Sequence, residues 1–282
     1  GSSQSKEESK GSSRGLAVFL GRLGDPSPRR DMPKRKQIKS VPPYRGLASI
    51  YDKVMQHVDY VEWADYIESV FDRHKLHPER LLDLSCGTGT LAVLLKRRGY
   101  RMAGADASVD MLLVAREKAE HAGQDIPFFC KDMRRLEGLP KFEAVLCLYD
   151  SINYLMTLDD VAGALDAVRG VLEPGGLFVF DICTETNSLK YFRDMTDKGQ
   201  GDGFLYTRHS YYEKGVQFNR FDIQFSDSNE AVSETHQQRI YSISDIEQAL
   251  NGSAFQIEGA YDGFSFSPPT NRTDRLHFVL RA

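Results

Sequence analysis

The chain predicts an α/β fold: a doubly wound, seven-stranded, mainly parallel sheet carrying a small antiparallel β insertion. Three observations lead there. From Arg80 to Ile182, apolar runs of strand length alternate with amphipathic runs of helix length, the pattern of a parallel sheet covered on both faces. Inside that stretch, LLDLSCGTGT (Leu81 to Thr90) reads as an apolar strand ending in an acid, then a glycine turn opening a helix. After Cys183 the texture changes to β-rich segments joined by EKG and DSDSNE, both good hairpin turns.

Taken in order, residues 1–40 are rich in Ser, Gly, Lys, Arg and Pro and read as a disordered or partly expression-derived basic leader; MPKRKQIK from Met32 is a candidate native start. Residues 41–75 form a helical lid: Ile50, Val54, Val58, Val61, Trp63, Ile67, Val70 and Phe71 recur at near-helical spacing, with a break around His57. Residues 76–200 make the α/β core. Its strands are Arg80–Leu84, Arg101–Ala105, Pro127–Cys130, Phe142–Leu148 and Leu177–Ile182. Helices run between them to Arg98, to about His121, and from Asp159 to Val171, with Ser108 and Thr157 as start signals. Residues 201–242 read as a three-stranded antiparallel wall: Leu205–Tyr212, Val216–Phe225 and Ala231–Ser242. Val216 and Phe218 alternate out of phase with Phe221, Ile223 and Phe225, which predicts a bulge near Asn219 and Arg220. Residues 243–282 close the core with a helix over Ser244–Asn251 and strands Gln256–Tyr261 and Arg275–Arg281.

Charge is unevenly spread. The chain totals −4, but residues 1–40 carry ten Lys/Arg against four acids, so the remainder stands near −10. An acidic body disfavours nucleic acid as substrate unless the basic leader recruits it. No apolar run is long enough for a membrane helix. Cys86, Cys130, Cys147 and Cys183 fall on or beside core strands with no C-x-x-C spacing, which argues against a metal site and suits free thiols in a reducing cytoplasm.

Gly87 and Gly89 let backbone approach a ligand, and the following helix points its N-terminal amides into the same space. Asp106 lies about 20 residues on, the spacing at which a carboxylate grips a ribose diol. This is a nucleoside-cofactor site, and two cofactors compete. GTGTLA (Gly87 to Ala92) fits the dinucleotide fingerprint of a dehydrogenase. Asp83, however, would repel a pyrophosphate over that turn. S-adenosyl-L-methionine offers an ammonium, a sulfonium and a diol, with no phosphate, and is the better match.

DLSCGTGT, then GADASVDML at Gly104, then CKDMR at Cys130, with LEPGGLFVFDI at Leu172, resembles the class I S-adenosylmethionine-dependent methyltransferases, whose sheet is Rossmann-like. Similarity runs from about Tyr44 to Ala282. The lead-in LASIYDKVMQHVDYVEWADYI and the DSINYL segment resemble the small-molecule branch, including amino-sugar and glycine N-methyltransferases. The resemblance implies that Asp83, Ser85, Gly87 and Gly89 face the methionine part of the cofactor, that Asp106 holds the ribose and that Asp132 meets the adenine amino group. It also implies that the Met133 backbone meets a ring nitrogen, that Ala107 and Met111 flank the adenine, and that Leu148 backs the ribose and methionine end. Tyr51 and Trp63 would close over the cofactor, with Tyr51 bonding its carboxylate. As plain residues, Asp132 equally reads as a turn cap and Trp63 as core.

Methyl transfer needs alignment and exclusion of water, and a base only when the nucleophile arrives protonated. Candidate catalytic groups are Asp150, Tyr154 and His209, with His236 beside them. Candidate acceptor-binding groups are Tyr44, Tyr149, Asn153, Tyr211 and Arg239. The segment after the fourth strand is not the N/D-P-P-Y of base-amino methyltransferases. A small-molecule acceptor methylated on N or O is expected, any assembly being a homodimer. Two alternatives stay open: an RNA or protein methyltransferase recruited by the leader, and a cofactor-binding regulator without turnover.

Overall fold

A computed structural model describes residues 38–228 and 230–282; the leader up to residue 37 lies outside them. Strand β1 (Ile38–Ser40) is followed by a 3-10 turn (Ala48–Ile50), α1 (Tyr51–Val54) and α2 (Tyr60–Arg73). The lid is thus two helices, broken at the predicted place because Asp59 restarts the helix by accepting from the amides of Val61 and Glu62. The core then runs β2 (Arg80–Leu84), α3 (Thr90–Arg97), β3 (Arg101–Asp106), α4 (Val109–His121), β4 (Phe128–Cys130), β5 (Phe142–Cys147), a 3-10 turn (Ser151–Tyr154), α5 (Leu158–Val171) and β6 (Leu172–Cys183). Next come α6 (Glu185–Tyr191), β7 (Asp194–Gly201), β8 (Phe204–Glu213), β9 (Val216–Phe225), β10 (Ala231–Arg239), α7 (Ile243–Leu250), β11 (Gln256–Asp262) and β12 (Arg275–Arg281).

Seven strands form one sheet in the order β11-β12-β6-β5-β2-β3-β4. β2 to β6 pair in parallel, and β12 is antiparallel to both β6 and β11. From β2 the chain steps outward to β3 and β4, then returns to β5 on β2's other side. A crevice opens at that reversal, beyond the strands' carboxyl ends. The strands are apolar on both faces because each face is covered. Leu82, Ala105, Val145, Phe178 and Phe278 pack under α5 and α7, while Leu81, Met102, Leu146 and Val179 pack under α2, α3 and α4.

The insertion is larger than expected. Five strands, β1-β10-β9-β8-β7, form the second sheet, and β1 joins it in parallel with β10. The fold therefore claims Ile38–Ser40 from the anticipated leader and residues 194–200 from the anticipated core. The expected bulge is absent: β9 pairs in unbroken register with both β8 and β10. Gln217 and Asn219, not apolar residues, continue the inward row of Phe221 and Ile223, and Phe218 stacks on Tyr211 at 4.7 Å on the opposite side. A small apolar cluster of Leu47, Ile50 and Val54 against Phe204, Phe221 and Ile223 fastens the lid to this sheet.

Asn153, anticipated as an acceptor-binding residue, belongs to the frame. It is fully buried, its Nδ2 donates to the Arg239 carbonyl at 2.7 Å, and its Oδ1 accepts from the Cys183 amide at 3.0 Å. It joins the 3-10 turn to both sheets. Replacing it by Ala leaves two buried backbone groups unmatched. Asn153→Ala is expected to lose about 2 kcal/mol of stability in urea unfolding, with cofactor affinity in the folded fraction unchanged.

Candidate active site

The carboxyl ends of β2, β3, β5 and β6 open into a cavity of about 1010 Å³, bounded by the lid on one side and the inward rows of β8, β9 and β10 on another. Four of the six described non-glycine residues with left-handed backbone line it: Tyr44 (φ 66°), Ser85 (φ 61°), Tyr149 (φ 63°) and Asp150 (φ 52°). Such conformations are unfavourable for residues with a Cβ and persist where surrounding structure enforces them.

At the first strand end, Asp83 is 3% exposed and its Oδ2 has no hydrogen-bond partner. Burial, helped by the charge on Asp106, pushes its carboxyl up to about 7. Asp106, also raised by burial, accepts from the amides of Gly87 at 2.9 Å and Ser108 at 2.8 Å, so one carboxylate ties the glycine turn to the start of α4. Thr88 donates to Asp52 at 2.6 Å, and Lys118 reaches Asp52 at 2.6 Å and the hydroxyls of Thr88 and Thr90. The lid is thereby latched to the turn. Two acids face one hollow, and the described residues pair neither with a cation. A cationic nucleoside fits this; a diphosphate does not.

Ala107, Met111, Met133 and Leu148 also line the cavity, as do Tyr51 and Trp63, the latter only 5% exposed. Gly89 does not line it. Its left-handed backbone (φ 72°) starts α3 where a Cβ would sit 3.0 Å from Ala115 and 3.2 Å from the Phe128 ring, so its role is helix packing. Asp132 lines the cavity, yet its carboxylate accepts the Arg134 amide at 2.9 Å and the Arg134 guanidinium at 2.6 Å, which holds its pKa below the usual range. The turn-cap reading of Asp132 therefore describes its present bonds.

At the far end, Tyr149, Asp150 and Tyr154 line the cavity with Tyr44. Burial pushes the Asp150 carboxyl up and Arg275 opposes it: Arg275 Nη2 lies 2.8 Å from Asp150, and Gln238 donates to the same carboxylate at 2.5 Å. Arg275 also pairs with the fully buried Asp181 and sits over the rings of Tyr149 (5.1 Å) and Trp63 (5.7 Å). Asp150 thus shares Arg275 with Asp181 and helps to position it.

Three other candidates face away. His209 bonds Asp194 at 3.0 Å, Tyr211 stacks on Phe218, and the Arg239 guanidinium meets the Lys214 carbonyl at 3.3 Å; none lines the cavity. Side chains alternate along a strand, and here Arg208, His236 and Gln238 hold the inward positions. Arg208, Gln217, Asn219, Gln238 and Arg275 escaped the sequence reading. A signal existed for two of them: the polar pair Gln217 and Asn219 interrupts an apolar alternation. The cysteines are unpaired, and Cys130, at the end of β4, is exposed.

Residues 81–176 match the family model described as "Methyltransferase domain". Over 242 residues the chain is 32% identical to "Putative methyltransferase YqeM" of Bacillus subtilis, covering 83% of this chain and 95% of that one. This chain is an S-adenosylmethionine-dependent methyltransferase. Consistent with this, the structure matches an S-adenosylmethionine-dependent methyltransferase from Clostridium acetobutylicum with TM-score 0.73 and 28% identity over 84% of this chain and 98% of the other. The methyltransferase is also 26% identical over 214 residues to a dTDP-3-amino-3,4,6-trideoxy-alpha-D-glucopyranose N,N-dimethyltransferase of Streptomyces venezuelae, covering 76% of this chain and 89% of that one.

Removing Asp106 strips the glycine turn of its bridging carboxylate. Calorimetry is expected to show Asp106→Ala binding S-adenosylmethionine at least about 30-fold more weakly. The raised pKa of Asp83 gives a second expectation. Below about 7 its carboxyl is protonated and ceases to attract a cationic ligand. Affinity for S-adenosylmethionine should therefore fall roughly tenfold between pH 8 and pH 6. In Asp83→Asn that slope should flatten, and an unaltered slope would contradict the assignment.

Proposed function

We propose that this methyltransferase alkylates a nitrogen or oxygen atom of a small polar molecule held between the strand ends and the antiparallel sheet. The observation that carries this reading is the second half of the cavity. Ligand sites commonly span about 300–1,000 Å³, and this one stands at the upper limit, with room for a donor and a compact acceptor together. Its far wall is lined by Arg208, Gln217, Asn219, His236 and Gln238, all from the second sheet. Such side chains suit an acceptor with its own hydrogen-bonding groups. The amino-sugar N,N-dimethyltransferase, which the chain resembles over most of its length, acts on an acceptor of that kind by its name.

In this reading Asp83, Ser85, Gly87, Asp106, Ala107, Met111, Met133 and Leu148 hold the cofactor, with Asp132 at the adenine end and Tyr51 and Trp63 closing over it. When bound, S-adenosylmethionine supplies a methyl group activated by a sulfonium. The protein's contribution is to align the acceptor atom, exclude water through the latched lid, and dispose of a proton. The acidic folded body weighs against a polyanionic acceptor. No helix among the described residues is long and apolar enough to cross a membrane. Unpaired buried Cys147 and Cys183 support a reducing compartment such as the cytoplasm.

Incubation of the protein with methyl-labelled S-adenosylmethionine and a cell extract, followed by mass identification, is expected to give a labelled metabolite of low mass. Label confined to protein or RNA would reverse the assignment. A chain beginning at residue 36 keeps β1 and is expected to retain that activity, because every residue assigned to the site lies at or beyond Tyr44.

A further inference from the structure

We propose that Tyr154, His236 and Glu234 form a buried proton relay which, with Tyr44 as its outer end, carries away the proton that the acceptor's heteroatom loses on methylation. The inference rests on the small-acceptor reading above. It is read from three short contacts. Tyr44 Oη lies 2.5 Å from Tyr154 Oη, Tyr154 Oη lies 2.9 Å from His236 Nδ1, and His236 Nε2 lies 2.9 Å from Glu234 Oε1. Glu234 also accepts three backbone amides: Tyr44 at 3.0 Å, Gly46 at 2.8 Å and Leu47 at 3.1 Å. His236 is 2% exposed and Glu234 1%.

Hydrogen-bond accounting gives the chain a direction. Both Glu234 oxygens are occupied by N–H donors, so His236 Nε2 must carry a proton and donate. In a neutral imidazole the other nitrogen is then an acceptor, and Tyr154 donates to it. Tyr154 oxygen in turn accepts from Tyr44. The Tyr44 oxygen keeps its accepting capacity, and Tyr44 lines the cavity. The wire thus ends in a proton acceptor at the wall of the site.

The relay balances without a co-reactant. The acceptor's N or O forms a bond to the methyl carbon, the carbon–sulfur bond breaks, and its electron pair stays on sulfur. The proton on the heteroatom passes to Tyr44 oxygen, the Tyr44 proton to Tyr154, and the Tyr154 proton to His236 Nδ1. His236 becomes an imidazolium facing Glu234, and every hydroxyl in the chain has reversed. After release of product the proton leaves by the same route. Burial raises both phenols well above their usual range, with the Asp106 charge adding to it at each and Asp150 at Tyr154, so the tyrosines pass a proton on but do not hold a negative charge. The groups facing the imidazole are Tyr44 from the lid, Tyr154 from the 3-10 turn, Phe221 from β9 and Glu234 from its own strand.

The geometry is built for alignment. Tyr44 has φ 66°, and Glu234 holds that turn by three amides. At Gly46 a Cβ would lie 2.6 Å from Val232, so the turn presses directly on β10.

Two measurements on the full chain test this. Nitrogen-15 NMR of the histidine imidazoles, with S-adenosylmethionine bound, is expected to show His236 as the Nε2–H tautomer at neutral pH, with an Nδ1 resonance that moves in Tyr154→Phe. An Nδ1–H tautomer overturns the relay. In the second, Tyr154→Phe and His236→Gln are assayed with labelled S-adenosylmethionine on an extract fraction that the wild type methylates. Turnover at pH 7 is expected to fall about 10²–10⁴-fold, with S-adenosylmethionine affinity within about twofold of wild type and the loss shrinking as pH rises. Full turnover in Tyr154→Phe, or a loss that tracks weaker cofactor binding and leaves the pH profile unchanged, overturns the relay alone. A wild-type chain that labels no small molecule overturns the small-acceptor reading, and the relay's purpose with it.

Discussion

A buried carboxylate, Asp83, beside a half-buried one, Asp106, neither paired with a cation among the described residues, is the constraint around which this site is organised. Asp83 and Asp106 face the same hollow, and burial against Asp106 takes Asp83 to a pKa of about 7. Holding Asp83 ionised there costs on the order of 4 kcal/mol relative to water. A fold keeps such an arrangement where something else repays it, and in the proposed reading the sulfonium and ammonium of the cofactor would do so. The glycine turn, the latch of Asp52, Thr88 and Lys118, and the lid itself then serve to bring that cation in and keep water out.

The opposite end of the cavity supplies a cation of its own. Asp150 and Asp181 share Arg275, which is stacked on two aromatic rings. In the proposed reading, the carboxylates that pair with no cation among the described residues are where the cationic donor would sit. At the other end Arg275 offsets only part of the charge of its two acids, and the wall is otherwise polar. The second sheet supplies that wall and anchors the lid through Glu234, so the lid and the cavity wall depend on the same strand.

The core strands were readable because they are covered on both faces and so are apolar throughout, and because strand-end acids and glycines are local in sequence. The second sheet was harder. β7, DMTDKGQG, has no apolar alternation and exists because its backbone pairs with β8. β1 is three exposed residues recruited by β10. On β8 to β10 both faces carry polar and aromatic residues, so the inward row could not be told from the outward one. That parity placed His209, Tyr211 and Arg239 on the wrong side, and hid Gln217, Asn219 and Gln238. The apparent bulge at Asn219 was the trace of a cavity: a core-facing row turns polar where it stops facing core.

The sequence by itself determined the α/β architecture, the glycine turn and the acids at the strand ends, because each depends on residues close in the chain and on periodicity. Only the tertiary structure decided which candidates meet. The pairs that matter are Tyr154 with His236, Glu234 with the turn at Tyr44, and Arg275 with Asp150, separated by 82, 190 and 125 positions. No local pattern encodes contacts at that range. They follow from how two sheets pack against one lid.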